Sequence, residues 1–382
     1  MNKNFLIKQY NKDDGFKIKH NYLEKQFRNS EKIFSDIKKL VKKGDYTLGT
    51  YVSEFENNIK KMTKAKYCLG VGSGTDAIFL SLKAIDLKNN DEVITTSYTF
   101  YATVGAIVTA GGKPIFVDIN NSLNIDPDEI EKKITKKTKA IVIVHWSGYS
   151  CDMDKIMKIS RKYKIPVIED ACHGIKASYK TQPLGTFGLT GCFSLHPLKN
   201  LNVWGDGGFL ITNSKKMYTR LSLLRNHGLV SRDKCKIYGY NSRLDSIQAI
   251  VANNLLKKLN HITSKRQSNA NLYDLHLSKI NQITVPNYNK KIIKHVYHLY
   301  MVIVKNRSSL IKFLHKNGID AKIHYPTPMH LQPASKVYGY KKGDFPITEK
   351  ISKNIMSLPV HEFLNKTDLL FVIKKIKDFY EN

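Results

Sequence analysis

Acidic residues are scarce in this chain: 32 Asp and Glu stand against 62 Lys and Arg, a formal charge of +30 over 382 residues. Such an excess suits an anionic partner, and a nucleic acid is the first to weigh. The lysines are, however, spread along the chain, in pairs such as Lys38-Lys39, Lys42-Lys43, Lys132-Lys133, Lys136-Lys137 and Lys257-Lys258. Several pairs fall on the polar faces of expected helices, and no basic stretch is interleaved with stacking aromatics. The charge reads as surface composition that also attracts anionic substrates, and no nucleic-acid partner is expected.

Long apolar runs are missing too. No stretch reaches the ~18 residues that span a bilayer, so no membrane insertion is expected. Met1 to Tyr10 holds no apolar segment of a secretory signal, which points to the cytoplasm. Cysteine is sparse and odd in number: Cys68, Cys151, Cys172, Cys192 and Cys235, with no Cys-x-x-Cys pair. That pattern fits reduced thiols rather than a disulfide scaffold or a zinc site. Each is expected to be a small buried apolar residue, and no metal is expected. Internal repeats and low-complexity linkers are also absent. With 42% hydrophobic and 25% charged residues, the composition is that of an ordinary globular protein, and the length is too great for one simple core.

What is present is an alternation of short apolar runs with helical patterns from about Lys66 to Asn213. Strands are expected at Tyr67-Cys68-Leu69-Gly70, Glu92 to Thr95, Pro114 to Asp118, Ala140 to Val144, Pro166 to Asp170 and Gly208 to Thr212. Ala77 to Leu82 has the spacing of a buried helix. This predicts an α/β fold with a mostly parallel central sheet flanked by helices. One long helical pattern runs from Ser246 to about Ile280. Beyond it come a strand over Tyr297 to Val304, a helix over Ser308 to Asn317 with Gly318 as its C-cap, and a terminal helix over Thr367 to Tyr380. The expected division is an N-terminal extension over residues 1–20, an arm for another subunit; a large domain over 21–255; and a smaller C-terminal α/β domain over 256–382.

Three segments carry chemistry, and each follows an expected strand, where ligands of open α/β sheets bind. Gly72-Ser73-Gly74-Thr75-Asp76-Ala77 is a glycine turn entering a helix, whose free N–H groups and dipole suit a phosphate, although most such turns are only turns. Glu169-Asp170-Ala171-Cys172-His173 puts a carboxylate at a strand end. Asp170 is able to pair with a protonated ring nitrogen, or simply to cap the next helix. Phe193-Ser194-Leu195-His196-Pro197-Leu198-Lys199 leads into Gly205-Asp206-Gly207-Gly208. A lysine in such a partly desolvated turn has its pKa lowered and forms Schiff bases.

The order phosphate turn, aspartate, lysine is what a fold-type I pyridoxal 5'-phosphate (PLP) enzyme needs. More narrowly, from about Asn21 to its end the chain resembles the DegT/StrS family of sugar aminotransferases. Further motifs carry the resemblance: Tyr98-Thr99-Phe100, Leu224-Arg225-Asn226-His227-Gly228, Gly239-Tyr240-Asn241-Ser242-Arg243, Ile323-His324-Tyr325-Pro326 and His330-Leu331-Gln332-Pro333. The resemblance implies that Lys199 holds PLP as a Schiff base and that Asp170 pairs with the ring nitrogen. It places Phe100 on one face of the ring and His173 on the other, with Gly74, Thr75 and Ser194 on the phosphate. It implies that Asn241 reaches the phosphate of a neighbouring subunit, hence a homodimer, and that Arg243, His324, Tyr325 and His330 line the sugar-nucleotide cleft.

The implied reaction moves an amino group from glutamate to a ketosugar, nucleotide-linked and destined for cell-surface polysaccharide or other amino sugars. Lys199 would serve as tether, base and acid in a ping-pong cycle. Gly205-Asp206-Gly207-Gly208 resembles the 3-keto enzymes of the family, whereas the 4-keto ones more often carry glutamate at the position of Asp206. Asn202-Val203-Trp204 and Trp146 depart from the commoner family pattern. The alternatives are a keto-sugar acid as acceptor, a PLP-dependent sugar dehydratase, or a DNA-binding regulator. Relatives of the dehydratase kind carry histidine where this chain has Lys199.

Overall fold

The computed structural model describes residues 15–286 and 288–381. Seven strands form the central sheet: Tyr67–Val71 (β1), Glu92–Thr96 (β2), Lys113–Val117 (β3), Thr138–Val144 (β4), Val167–Asp170 (β5), Thr190–Ser194 (β6) and Gly208–Thr212 (β7). Their spatial order is β1-β7-β6-β5-β4-β2-β3. Neighbours are parallel except around β7, which is antiparallel to both β1 and β6. The expected mostly parallel sheet is present, and β7 departs from it for a physical reason. A parallel return needs a crossover of about a dozen residues or more, usually helical. Between Ser194 and Gly208 the chain makes only turns, passing Lys199 and Gly205 (φ 146°), and comes straight back beside β6.

Helices cover both faces, which is why a run such as Ala140 to Val144 is apolar and buried throughout. The helices before and along the sheet are Glu31–Lys43 (α1), Thr50–Thr63 (α2), Gly74–Ala84 (α3), Tyr101–Thr109 (α4), Met153–Tyr163 (α5), Lys215–Leu224 (α6) and Ser246–Leu256 (α7). On one face Ile78, Ile107 and Leu221 pack on Leu69, Val142 and Leu210. On the other, Phe55, Ile59 and Ile250 pack on Phe193 and Phe209. The expected long helix after Ser246 is two helices, because Leu259–Leu277 (α8) begins afresh after Lys257 and Lys258. Their apolar residues serve different layers: Ile250 joins the cluster on the main sheet, whereas Tyr273 and Leu277 join one shared with a second sheet.

That second sheet is antiparallel, with Ile283–Thr284 (β8), Tyr300–Val304 (β9) and Ile355–Leu358 (β10) in the order β8-β9-β10. Its helices are Arg307–Lys316 (α9), Pro346–Asn354 (α10) and Lys366–Glu381 (α11). The strand expected from Tyr297 starts only at Tyr300, since Tyr297 adopts a positive φ of 47°. Asn317, not Gly318, caps α9, and Gly318 follows it with φ 74°. Of the expected extension, residues 1–14 lie outside the described residues. The rest packs on its own chain: Ile18 is buried, and the Lys17 and Ile18 N–H groups both donate to the Gly318 carbonyl at 2.9 Å.

The ends of β4 and β5 are tied by a buried carboxylate. Glu169 Oε1 accepts from the Phe187 and Gly188 N–H groups (2.8 and 2.7 Å), and Oε2 from Gly185 N–H and His145 Nε2 (2.7 and 3.0 Å). His145 Nδ1 accepts from Cys151 N–H at 3.2 Å, so its proton sits on Nε2 and points at Glu169. Both side chains are fully buried. A neutral amide here would turn an NH₂ towards donors that need an acceptor. Glu169→Gln should therefore cost about 3 kcal/mol of stability, read as a lower urea midpoint; an unchanged midpoint would refute the lock.

Candidate functional site

Register brings the three chemical segments to one end of four neighbouring strands, with Asp170 of β5 opposite Cys192 of β6. Gly208 lies opposite Val71 on one side and Ser194 on the other. The tip of β1, the tip of β6 and the start of β7 therefore meet there. A Cβ on Gly208 would fall 2.4 Å from Ser73 carbonyl atoms, so only glycine lets β7 lie against the turn. Gly74 is equally pinned, since a Cβ there would meet Cys172 Sγ and Ser194 Cβ at 2.8 Å. Ser73 caps α3 by accepting from Asp76 N–H at 3.0 Å. The N–H groups of Gly74 and Thr75 have no partner among the described residues, and Thr75 is exposed. This is a helix start built for an anion. Ser242 holds it from outside: its hydroxyl donates to Asp76 Oδ2 (2.8 Å) and accepts from Gly72 N–H (3.2 Å).

Beside this turn stand Asp170, His173 and Lys199. Asp170 is buried, with Oδ1 accepting from Cys172 N–H (3.1 Å) and Oδ2 from the Thr103 hydroxyl (2.8 Å). It does not cap a helix. Lys199 is half-buried, and burial pulls its amine below the ordinary lysine range, while Cys172 and Asp170 nearby partly restore it. Burial, then the charges of Lys199 and His324, hold His173 well below the usual histidine range. Its ring lies 4.1 Å from that of His298, which is held neutral in the same way, first by burial. Cys172 was expected to be an inert core thiol, but it is half-buried and borders both Lys199 and Gly74. Cys235 likewise departs from expectation by being exposed.

An aromatic wall closes the other side. Phe100, at the N-cap of α4, is 47% exposed, with its ring 5.6 Å from Tyr325 and 5.3 Å from Tyr101. Trp146 stands 5.4 Å from Tyr325 and 5.3 Å from His173. Tyr98 fixes the incoming segment, since its hydroxyl donates to the His324 carbonyl (2.6 Å) and accepts from Tyr325 N–H (2.7 Å). His324 Nδ1 pairs with Ser357 Oγ at 2.8 Å, and burial together with His20, Lys322 and Lys199 lowers its pKa to about 3. The tips of β2 and β3 anchor the same region. Asp118 accepts from the Ile347 and Thr348 N–H groups, and Ser97 Oγ pairs with Thr348 Oγ1 at 2.7 Å.

One expected cleft residue is placed elsewhere. The His330 side chain is fully buried, with Nε2 on Glu349 Oε1 at 3.1 Å and its ring 4.6 Å from Phe345. Glu349 draws it inward, so it does not line an open cleft. Arg243 is half-buried and donates to Asn226 Oδ1 at 3.0 Å; Asn241 is exposed and bridges Asn226 through the backbone. Several contacts escaped sequence reasoning. The Tyr22 hydroxyl bonds the Leu198 and Lys199 carbonyls (3.2 and 3.3 Å) and accepts from Arg266 Nη2 (2.8 Å). Arg266 is itself buried against Glu362 at 3.4 Å. This clamp holds the turn in which Leu198 adopts φ 73°. No local pattern marks Tyr22 or Arg266, whose partners lie far along the chain. Two surface cavities of about 390 and 340 Å³, around Met157 and Lys294, do not border Lys199.

These residues fit PLP. The Gly74 turn offers unpaired N–H groups, Asp170 keeps lone pairs beyond its two donors, and Lys199 is a desolvated amine. His173 Nδ1 and Trp146 Nε1 are buried without a partner among the described residues, which marks a place meant to be filled by a polar group.

Residues 28–377 match the family model described as the DegT/DnrJ/EryC1/StrS aminotransferase family. The chain is 38% identical to the "Pleiotropic regulatory protein" of Geobacillus stearothermophilus, covering 88% of this chain and 91% of that one. It is 36% identical to the dTDP-3-amino-3,6-dideoxy-alpha-D-galactopyranose transaminase of Aneurinibacillus thermoaerophilus, over 92% and 96% of the two chains. The fold superposes on NtdA from Bacillus subtilis, solved with bound cofactor PMP, with TM-score 0.89, 29% identity and coverage of 96% and 88%.

The lowered pKa of Lys199 has a direct readout. In cofactor-free protein, acylation of Lys199 followed by peptide mass spectrometry should rise through a midpoint below the ~10.4 of ordinary lysines. A midpoint matching the surface lysines would contradict the desolvation described above.

Proposed function

The chain belongs to the DegT/DnrJ/EryC1/StrS aminotransferase family, and we propose that it transfers an amino group from glutamate to a nucleotide-linked ketosugar, with a 3-keto acceptor favoured. The protein is a PLP-dependent sugar aminotransferase. The observation that carries the residue assignment is the convergence of Lys199, Asp170 and the Gly74 turn at one end of these neighbouring strands. The 3-keto preference rests on Asp206 in the glycine turn and on the A. thermoaerophilus relative, whose name places its amino group at carbon 3.

When bound, PLP supplies the electron sink that stabilises charge after loss of a proton next to nitrogen. Everything else falls to this chain. The Gly74 and Thr75 N–H groups and the Thr75 and Ser194 hydroxyls bind the phosphate at the positive end of α3. Asp170 would give the ring nitrogen a charge-assisted partner. Phe100 and His173 would cover opposite faces, and because His173 is held neutral it would add no charge to repel a protonated ring. Lys199 Nζ would hold the cofactor and, as a free amine, would take the proton from the glutamate carbon and carry it during the transfer. Its lowered pKa keeps a larger neutral fraction for that work near pH 7. Glutamate leaves as its keto acid before the ketosugar enters, so the two half-reactions are separable.

Arg243, His324 and Tyr325 line the acceptor side. His324 is a hydrogen-bonding group rather than a cation, given its pKa of about 3. Asn241 is exposed, and we assign it to the phosphate of a second copy in a homodimer. Val230 (50% exposed), in the small hairpin of Leu229–Ser231 and Lys234–Cys235, and Tyr238 (97% exposed) just after it would be covered in the same contact. Amino-sugar supply for a cell-surface polysaccharide is the role that fits. The dehydratase reading is disfavoured by Lys199.

Two measurements test this. Lys199→Arg keeps the charge but removes the nucleophile, so borohydride-treated protein should lose the PLP mass increment and turnover should fall by at least about 10³-fold. A variant with normal turnover would sink the assignment. Glutamate alone should convert the protein's bound PLP to its amine form, and a panel of nucleotide ketosugars should then show faster discharge by 3-keto than 4-keto members. Equal or reversed rates would remove the 3-keto preference.

A further inference from the structure

Asp170 is usually considered for what it offers outward, to the ring nitrogen. The structure also shows what holds it from behind. Thr103 Oγ1 lies 2.8 Å from Asp170 Oδ2, and Thr99 Oγ1 lies 2.8 Å from Thr103 Oγ1. Both threonines are 1% exposed, so water does not compete. The direction of the chain follows from counting hydrogens. A carboxylate only accepts, so Thr103 spends its single hydroxyl proton on Asp170. The bond between the two threonines must then be donated by Thr99. Cys172 N–H occupies the other carboxylate oxygen at 3.1 Å. With one donor on each oxygen, the carboxylate plane is fixed, and its remaining lone pairs have one direction left.

We propose that Thr99 and Thr103 are positioning residues that form a one-way hydroxyl relay onto Asp170 and set the plane in which it meets the PLP ring nitrogen. The inference rests on the assignment of Asp170 to that nitrogen made above. The relay shares its backbone with the aromatic cover. Thr99 precedes Phe100, Thr103 N–H donates to the Phe100 carbonyl at 3.2 Å, and α4 starts between them. The segment that presents Phe100 to one face of the ring thus also aims the carboxylate at its edge. A shift of α4 would disturb both contacts together.

The test compares equilibrium binding of two cofactors: PLP, and its carbocyclic analogue with CH in place of the ring nitrogen. Wild-type protein should hold PLP more tightly than the analogue. Thr103→Val, nearly equal in shape but without the hydroxyl, should weaken PLP about tenfold and leave the analogue within about twofold, because the analogue has no nitrogen for Asp170 to meet. Thr103→Ser should restore PLP binding. Thr99→Val should weaken PLP by about threefold, since Thr103 then keeps its donation but loses its own orientation. Equal losses for both cofactors would show that the threonines only support the fold, and undiminished PLP binding in Thr103→Val would also overturn the relay. Should Thr103→Val fail to fold, the selective loss in Thr99→Val decides the question in the same way. A wild-type protein that binds PLP and the analogue equally would instead overturn the assignment of Asp170 itself.

Discussion

The site hangs on Glu169. A strand alternates its side chains, so adjacent Glu169 and Asp170 point to opposite faces of β5. Glu169 turns into the protein, where three backbone N–H groups and His145 converge on it. Asp170 turns to the cleft. The bonds on Glu169 fix the strand end, the loop at residues 185–188 and, through His145, the end of β4. The His145 N–H in turn donates to the Asp170 carbonyl at 3.0 Å. The same loop lies over β6 so closely that a Cβ on Gly191 would come within 2.3 Å of Gly185. Ser194 and the Lys199 turn start from that strand. A displacement at Glu169 would thus be passed to Asp170 and Lys199 together.

The electrostatics of the cleft run against those of the whole chain. The protein carries +30, yet the groups nearest Lys199 are held without positive charge. His173, His298 and His324 all sit below the ordinary histidine range, with burial the largest cause in each and neighbouring cations adding to it. A buried imidazolium next to Lys199 would lower the amine's pKa further, but it would also favour the wrong charge beside a cationic ring. Neutral imidazoles avoid both effects while keeping hydrogen-bonding capacity. A minority of the lysines pair at the surface, as Lys32 does with Asp36 and Lys155 with Asp128. Such exposed pairs contribute little to stability, and the lysines in excess of the acids leave the surface with a positive field.

What was legible in the sequence was local. The Gly72-Ser73-Gly74 turn, the acid at the end of β5 and the lysine before a glycine turn each offer a candidate chemistry within a few residues that only their combination makes specific, and the three strand ends lie together as the strand pattern implied. The direction of β7 was not read from the sequence, because an apolar run looks the same read either way; only the lack of a helix before it signals reversal. His330 was misplaced because a histidine between prolines looks like loop, and nothing local reveals Glu349 behind it. Thr99 and Thr103 were invisible as a pair with Asp170 for the same reason: their partner is 67 residues from Thr103 in sequence. Tyr22, Arg266 and Glu362 are ordinary residue types, and they gain meaning only when the fold brings them to the Lys199 carbonyl.

That last grouping bears on how the two sheets cooperate. Arg266 sits on α8, Glu362 follows β10, and Tyr22 lies just after the segment that docks beside Gly318, so all three belong to the side of the second sheet. Yet they grip the backbone of the main-sheet lysine. On the opposite side of the cleft the traffic reverses: Tyr98, Ser97 and Asp118, at the tips of β2 and β3, hold Tyr325 and the start of α10. Each layer therefore positions a residue of the other. The backbone of Lys199 is steadied from the second sheet, and Tyr325 is steadied from the first. A rigid separation of the layers would loosen both at once, whereas a small rotation about the shared apolar cluster would move Tyr325 relative to Lys199 while leaving Asp170 and the Gly74 turn in place. Asp170 and the Gly74 turn thus stand on the main sheet, whereas Lys199 and Tyr325 are each held from across the two layers.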